Sequence, residues 1–111
     1  SEASFSTPEQ ESLPKASTLM QNSPNPFNPE TWIPYQLSEP ADVTITIYSV
    51  SGQAIRRIEL GRRMPGYYVD RARAAYWDGR NESGEEVSSG IYFYQLQAGR
   101  DVSIRKMMIV R

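Results

Sequence analysis

Cysteine and histidine are both missing from the 111 residues. Without them no Cys–His or Ser–His–Asp nucleophile can be assembled, and no zinc site of Cys and His ligands. Zero cysteine leaves the redox compartment open. Long apolar runs are missing too. The longest, Met107-Met108-Ile109-Val110, falls far short of the roughly 20 residues that span a membrane as a helix. The first residues lack the basic-then-apolar layout of a signal peptide. The opening SEASFSTPEQESLPKAS has no initiator Met and reads as a linker, so a piece of a longer chain is expected. Helix periodicity is also lacking: no window places apolar residues at i, i+3, i+4 and i+7 against a helix-forming background.

What is present is one domain's length, long enough to bury roughly two-thirds of its unfolded surface. The 12 Lys+Arg nearly balance the 13 Asp+Glu, for a net charge of −1, which argues against a nucleic-acid partner. The charge is uneven along the chain. Residues 1–42 hold six acids and one base, and residues 43–111 hold seven acids and eleven bases, nearly all of them Arg. A mildly basic domain behind an acidic leader follows.

Residues 1–17 are rich in Ser, Glu and Pro, with Phe5 and Leu13 as the only large apolar side chains. So little apolar surface does not offset the entropy of ordering, and a flexible tether is expected there. The domain proper is expected over residues 18–111. TLMQNSPNPFNPET (18–31) combines a short strand at Leu19-Met20 with a stiff Pro/Asn segment in which Phe27 is the one apolar anchor. Trp32–Leu37 is rich in strand formers, but Pro34 removes a ladder donor, which predicts an edge strand or a bulge. Val43-Thr44-Ile45-Thr46-Ile47 alternates cleanly and is the strongest strand signal. A turn at Val50-Ser51-Gly52-Gln53 leads into a strand over Ala54–Leu60. Two strands are expected within Tyr67–Trp77, and a short one at Glu86-Val87. Ile91–Ala98 has aromatics on both faces, which suggests a central position. In Val102–Val110 the apolar phase changes near Lys106, which a bulge would explain. About seven short strands at turn spacings predict an all-β fold, an antiparallel β-sandwich.

Four motifs in order carry a resemblance. They are QNSPNPFNPET (21–31), IYSVSGQ (47–53), YWDGRNESGEEVSSGIYFYQLQAG (76–99), and the closing Arg105–Arg111. Together they resemble the C-terminal type A sorting domain of type IX-secreted bacterial proteins, which overlaps the Ig-like family shared with the flagellar hook-capping protein. The resemblance implies an Ig-like sandwich that serves as a folded address on an exported protein. It implies recognition by secretion-machinery proteins, an upstream domain on the same polypeptide, and delivery through the periplasm to the outer-membrane surface or beyond. The family's Pro-Asn-Pro motif falls on Pro24, Asn25 and Pro26, its Gly-x-Tyr-x-Tyr strand on Gly90, Tyr92 and Tyr94, and its terminal basic-apolar strand on Lys106 through Arg111. Pro34 and the stretch Arg71-Ala72-Arg73 depart from the usual pattern.

Pro24, Asn25, Pro26, Phe27, Lys106 and Arg111 are therefore the candidate partner-binding residues. A stiff loop loses little entropy on docking, although the same Pro-rich turn also serves simply to lead into a sheet. The last strand can be read through edge pairing or be an ordinary sandwich strand with solvated Lys106 and Arg111. The alternative function is a structural or carbohydrate-binding Ig-like module, with Trp32, Tyr67-Tyr68 or Tyr92/Tyr94 as a stacking platform against their more common use as core. Asp78–Glu86 is acidic but fails the EF-hand pattern: Arg80 stands at position 3 and Ser83 at position 6. Glu85 and Glu86 are adjacent, so their side chains diverge. No catalytic residue, cofactor or metal is expected.

Overall fold

The computed structural model describes residues 13–111, which form nine strands. They are β1 (Thr18–Leu19), β2 (Thr31–Ile33), β3 (Tyr35–Leu37), β4 (Ala41–Ser49), β5 (Ala54–Arg63), β6 (Gly66–Tyr68), β7 (Ala75–Trp77), β8 (Gly90–Ala98) and β9 (Asp101–Ile109). The pairings between these strands are antiparallel. One sheet has the order β5-β4-β8-β9; the opposing layer is divided into β1-β3-β6 and β2-β7. The fold is the expected Ig-like sandwich, with nine strands rather than seven because several are only two or three residues long.

Alternation sets the inward face. Val43, Ile45 and Ile47 of β4 are buried while Thr44 and Thr46 lie on the outer side. β8 is central, between β4 and β9. Tyr92, Tyr94 and Leu96 point into the core, and Phe93 lies on the outer face opposite Tyr48 and Lys106. Each fully buried apolar side chain contributes roughly 1.5–3 kcal/mol.

The single edge strand expected over Trp32–Leu37 is instead divided at Pro34 into β2 and β3, and β3 is the central strand of its sheet. Thr31, Ile33, Tyr35 and Leu37 stay in one inward phase across it, but the hydrogen-bond partners change. β2 pairs with β7, whereas β3 pairs with β1 and β6. A residue without an N–H stands where the ladder breaks, and its carbonyl accepts from the Met20 amide at 3.0 Å.

Two expectations need correction. β9 has no bulge: its register with β8 runs without a slip from Asp101 to Ile109. Val102 and Ile104 are apolar residues on the outer face, while Met107 and Ile109 face inward. The register slips lie in β4–β5 instead, at Val43/Thr44 and Ile47/Tyr48. Glu86-Val87 forms no strand, only a single bridge from Glu86 to Arg80. The tether expected over residues 1–17 falls outside the described residues for 1–12. Nearer the sandwich, Gln36 Nε2 donates to the Ala16 carbonyl at 3.0 Å, and the Ser38 amide donates to Ser17 Oγ at 2.9 Å.

Two buried tyrosines make a contrasting pair. Tyr94 Oη accepts from the Asn22 amide at 2.9 Å and donates to the Met20 carbonyl at 2.8 Å. Tyr35 stacks on Tyr68 at 4.8 Å, but its hydroxyl has no partner among the described residues. Arg63 stands near enough to act on its charge, yet outside hydrogen-bonding geometry. Burial raises both hydroxyls above their ordinary 10.0; the Asn22 amide opposes this at Tyr94, and Arg63 at Tyr35. The two changes should therefore part company. Tyr94→Phe leaves the buried Asn22 amide and the half-buried Met20 carbonyl unpaired and is expected to cost about 1–3 kcal/mol at neutral pH. Tyr35→Phe removes a buried hydroxyl that bonds nothing and is expected to be neutral or slightly stabilising. Both should flatten the alkaline limb of stability. A raised acid stays protonated in the folded chain after the unfolded chain has ionised. Its stabilisation is thus complete below 10.0 and lost as pH climbs through the raised folded value. Urea unfolding at neutral pH and about pH 11 checks all of this.

Candidate docking surface

The Pro/Asn segment is a loop closed at its neck. Ser23 and Trp32 exchange both backbone hydrogen bonds, each 2.9 Å. Inside the neck lie two buried polar side chains, Asn22 and Thr31. Asn22 Nδ2 donates to Thr31 Oγ1 at 3.0 Å and to the Pro24 carbonyl at 3.1 Å, and the Thr31 hydroxyl donates to that same carbonyl at 2.9 Å. Proline fixes φ along the loop, and a buried side-chain network satisfies the carbonyl that the turn would otherwise strand. The peptide bonds preceding Pro24, Pro26 and Pro29 are cis.

The loop lies against the end of β9. Phe27 bridges Ile109 in parallel: its amide donates to the Met108 carbonyl at 3.1 Å, and its carbonyl accepts from the Val110 amide at 3.0 Å. Asn25 Oδ1 accepts from the Met108 amide at 3.0 Å. The Phe27 side chain is 2% exposed and packs on Trp77 with ring centroids 5.6 Å apart. Phe27 therefore anchors the loop from within, while Pro24, Asn25 and Pro26 are exposed above it.

Arg111 is tied rather than solvated. Its Nε donates to the Val87 carbonyl at 2.6 Å and an Nη to the Gly79 carbonyl at 2.9 Å; its amide donates to Ser89 Oγ at 2.9 Å. Glu86 lies 3.8 Å from the guanidinium, a half-exposed pair worth little by itself. Lys106 is exposed on the outer face of β9. The two candidate segments, far apart in sequence, thus meet on one surface at the end of β9. Sequence reasoning missed Asn22, Thr31 and the tether on Arg111. Asn22 and Thr31 carried a signal, a polar pair flanking a Pro-rich turn, but the carbonyl partners of Arg111 follow no pattern.

The acidic loop is engaged elsewhere. Asp78 Oδ1 accepts from Arg56 at 3.1 Å and from the Arg80 amide at 3.0 Å, and Glu82 accepts from the Arg57 amide at 2.6 Å. Of the aromatics considered as a sugar platform, Tyr92 and Tyr94 are buried. Trp32 carries the Arg71 guanidinium 4.0 Å above its ring and packs beside Tyr76, whose hydroxyl donates to Glu30 at 2.7 Å.

Solved structures share the fold at low sequence identity. Dimeric latent PorU from Porphyromonas gingivalis aligns with a TM-score of 0.63 and 17% identity, over 83% of this chain and 9% of PorU. PorZ, an essential surface component of the type-IX secretion system of the same bacterium, aligns with a TM-score of 0.56 and 18% identity, over 97% of this chain and 13% of PorZ. This chain thus spans only a small part of either. FlgD from P. aeruginosa aligns with a TM-score of 0.52 and 20% identity, over 86% of this chain and 67% of that one. The comparison with curated proteins found no match. Residues 28–101 match the family model of the FlgD Ig-like domain, and with most of its length inside that match the chain belongs to the FlgD Ig-like domain family.

Proposed function

We propose that the chain is a non-catalytic sorting and surface-attachment module of an exported bacterial protein, recognised as a folded body by type IX secretion machinery. Residues 18–111 would be the module and residues 1–17 its tether to an upstream domain. The observation that carries this function is the seating of the Pro24–Phe27 loop on the end of β9, through Phe27 and Asn25. A stiff, pre-shaped surface binds without a large ordering penalty. Pro24, Asn25, Pro26 and Lys106 would touch the partner, and Phe27 and Arg111 would hold the surface in shape. Kinship in fold with PorU and PorZ favours this partner class.

The whole chain fused to a periplasmic reporter, in a host with type IX machinery, is expected to reach the cell surface. Lys106→Glu combined with Pro24→Ala should leave the fold intact by circular dichroism and retain the reporter in the periplasm. Retention of the unsubstituted fusion, or surface delivery untouched by those changes, overturns the function. Carbohydrate binding is the second function, favoured by the half-exposed Trp32 and by Tyr76, 46% exposed. Glycan-array binding that Trp32→Ala abolishes would support it.

A further inference from the structure

Among the described residues, β9 is an edge strand guarded along only part of its length. One side pairs with β8 from Asp101 to Ile109. On the other side, the backbone groups of alternate residues point off the sheet. Contacts at the far end fix that direction: Met108 and Val110 bond Phe27 and Asn25, and Gln21 Nε2 donates to the Lys106 carbonyl at 3.0 Å. Uninterrupted alternation carries the same direction back to Ile104 and Val102. There, among the described residues, no group outside β8 meets the backbone. Two N–H and two C=O groups have no partner among the described residues. The side chains beside them are apolar and open, with Val102 52% and Ile104 60% exposed. Edges of this kind usually carry a charge or proline as protection; here the charges beside the open half, Asp101 and Arg105, lie on the other face of the strand from Val102 and Ile104, and the lysine comes at position 106, at the guarded half.

We propose that two copies of the chain pair along this edge, β9 against β9, antiparallel about a two-fold axis through Ser103. Ser103 then lies opposite Ser103 of the second copy. Val102 faces Ile104 of the second copy in hydrogen-bonded positions, so all four free backbone groups of each copy find partners. The same pairs bring two apolar side chains together on the outer face. Asp101 faces Arg105 of the second copy in a non-hydrogen-bonded position, where side chains approach most closely and opposite charges are favourable. Arg105 is already steadied by its Nε bond to the Leu19 carbonyl at 2.8 Å, which leaves its terminal nitrogens for the carboxylate. Moving the axis to Ile104 would set Lys106 against Val102 and Arg105 against Ser103, and the match would be lost. The interface is small, so the dimer is weak and reversible, and the contact is isologous.

Sedimentation velocity on the whole chain is expected to show a concentration-dependent monomer–dimer equilibrium. Amide exchange at Val102 and Ile104 should slow as concentration rises. Ile104→Lys should weaken association by about tenfold or more, and Asp101→Arg should weaken it as well. Adding Arg105→Asp to Asp101→Arg should restore it, because the charges then match in reverse. Val50→Lys, on an exposed turn at the far end of β4, should change nothing. A monomer at every concentration, or a dimer indifferent to Ile104→Lys, overturns the proposal. Should a charge variant fold poorly, concentration-dependent exchange in the unsubstituted chain decides: slowing confined to Val102 and Ile104 supports the pairing, and its absence refutes it.

Discussion

Trp77→Ala is expected to lower the unfolding free energy by about 3–5 kcal/mol, the range for removing a large aromatic from a packed core. Trp77 is fully buried and stands where three parts of the molecule converge. Its ring meets Phe27 of the Pro/Asn loop at 5.6 Å and Tyr92 of β8 at 6.1 Å, edge-on, while its Nε1 donates to the Arg80 carbonyl at 2.9 Å. Alanine would leave a cavity between loop and sheet and remove one of the two donors, Trp77 Nε1 and Arg56 Nη1, that meet the Arg80 carbonyl. Since domains of this size hold a total of only about 5–15 kcal/mol, much of the stability should go. Trp77→Phe keeps most of the packing and loses the hydrogen bond, so its loss should be smaller. Urea midpoints followed by far-UV circular dichroism separate the two; equal midpoints for wild type and Trp77→Ala would remove Trp77 from the centre of the core.

The second large effect comes from adding a single methyl group. Gly79 has φ +78°, and a Cβ there would lie 2.5 Å from the Pro29 carbonyl oxygen, 3.0 Å from an Arg111 guanidinium nitrogen and 3.5 Å from Ile109 Cδ1. The arginine can swing aside. The Pro29 carbonyl cannot, because it belongs to the loop that Phe27 and Asn22 hold down. Gly79→Ala thus combines left-handed strain of about 1 kcal/mol with an overpacking penalty of about 1–3 kcal/mol, for an expected loss of about 2–4 kcal/mol. Gly84 is the control. Its φ is +83° but nothing lies within 4 Å of a Cβ, so Gly84→Ala should show the strain alone, about 1 kcal/mol. Similar thermal midpoints for the two variants would mean that the loop does not press on the Gly79 turn.

Much of the sandwich was legible because one buried face imposes a period of two. Val43, Ile45 and Ile47 could be placed inward from their spacing alone, and aromatics on both sides of Ile91–Ala98 marked a central strand. β9 misled for a physical reason. Apolar residues usually face inward, so Val102 and Ile104 can share a face with Met107 and Ile109 only through a bulge. Their exposure on the outer face broke the assumption, not the strand. Pro34 signalled a defect in a ladder, but no local pattern says which strands stand on either side of it. The candidate surface was legible as two motifs and not as one place. Its joints run through backbone groups of Met108 and Val110 and through a single asparagine side chain, and such long-range bonds leave no periodic trace.

The seating of Phe27 on Ile109 also governs when the molecule can mature. A ribosome delivers the loop long before the strand it grips, so the neck at Ser23–Trp32 can close locally while Phe27 waits, unseated, for Met108 and Val110 to emerge. Such distant closure slows folding and concentrates it in one late step. A copy cut short before Met108 would never fasten, leaving the Phe27 and Trp77 rings to the proteases and chaperones that patrol unfinished chains.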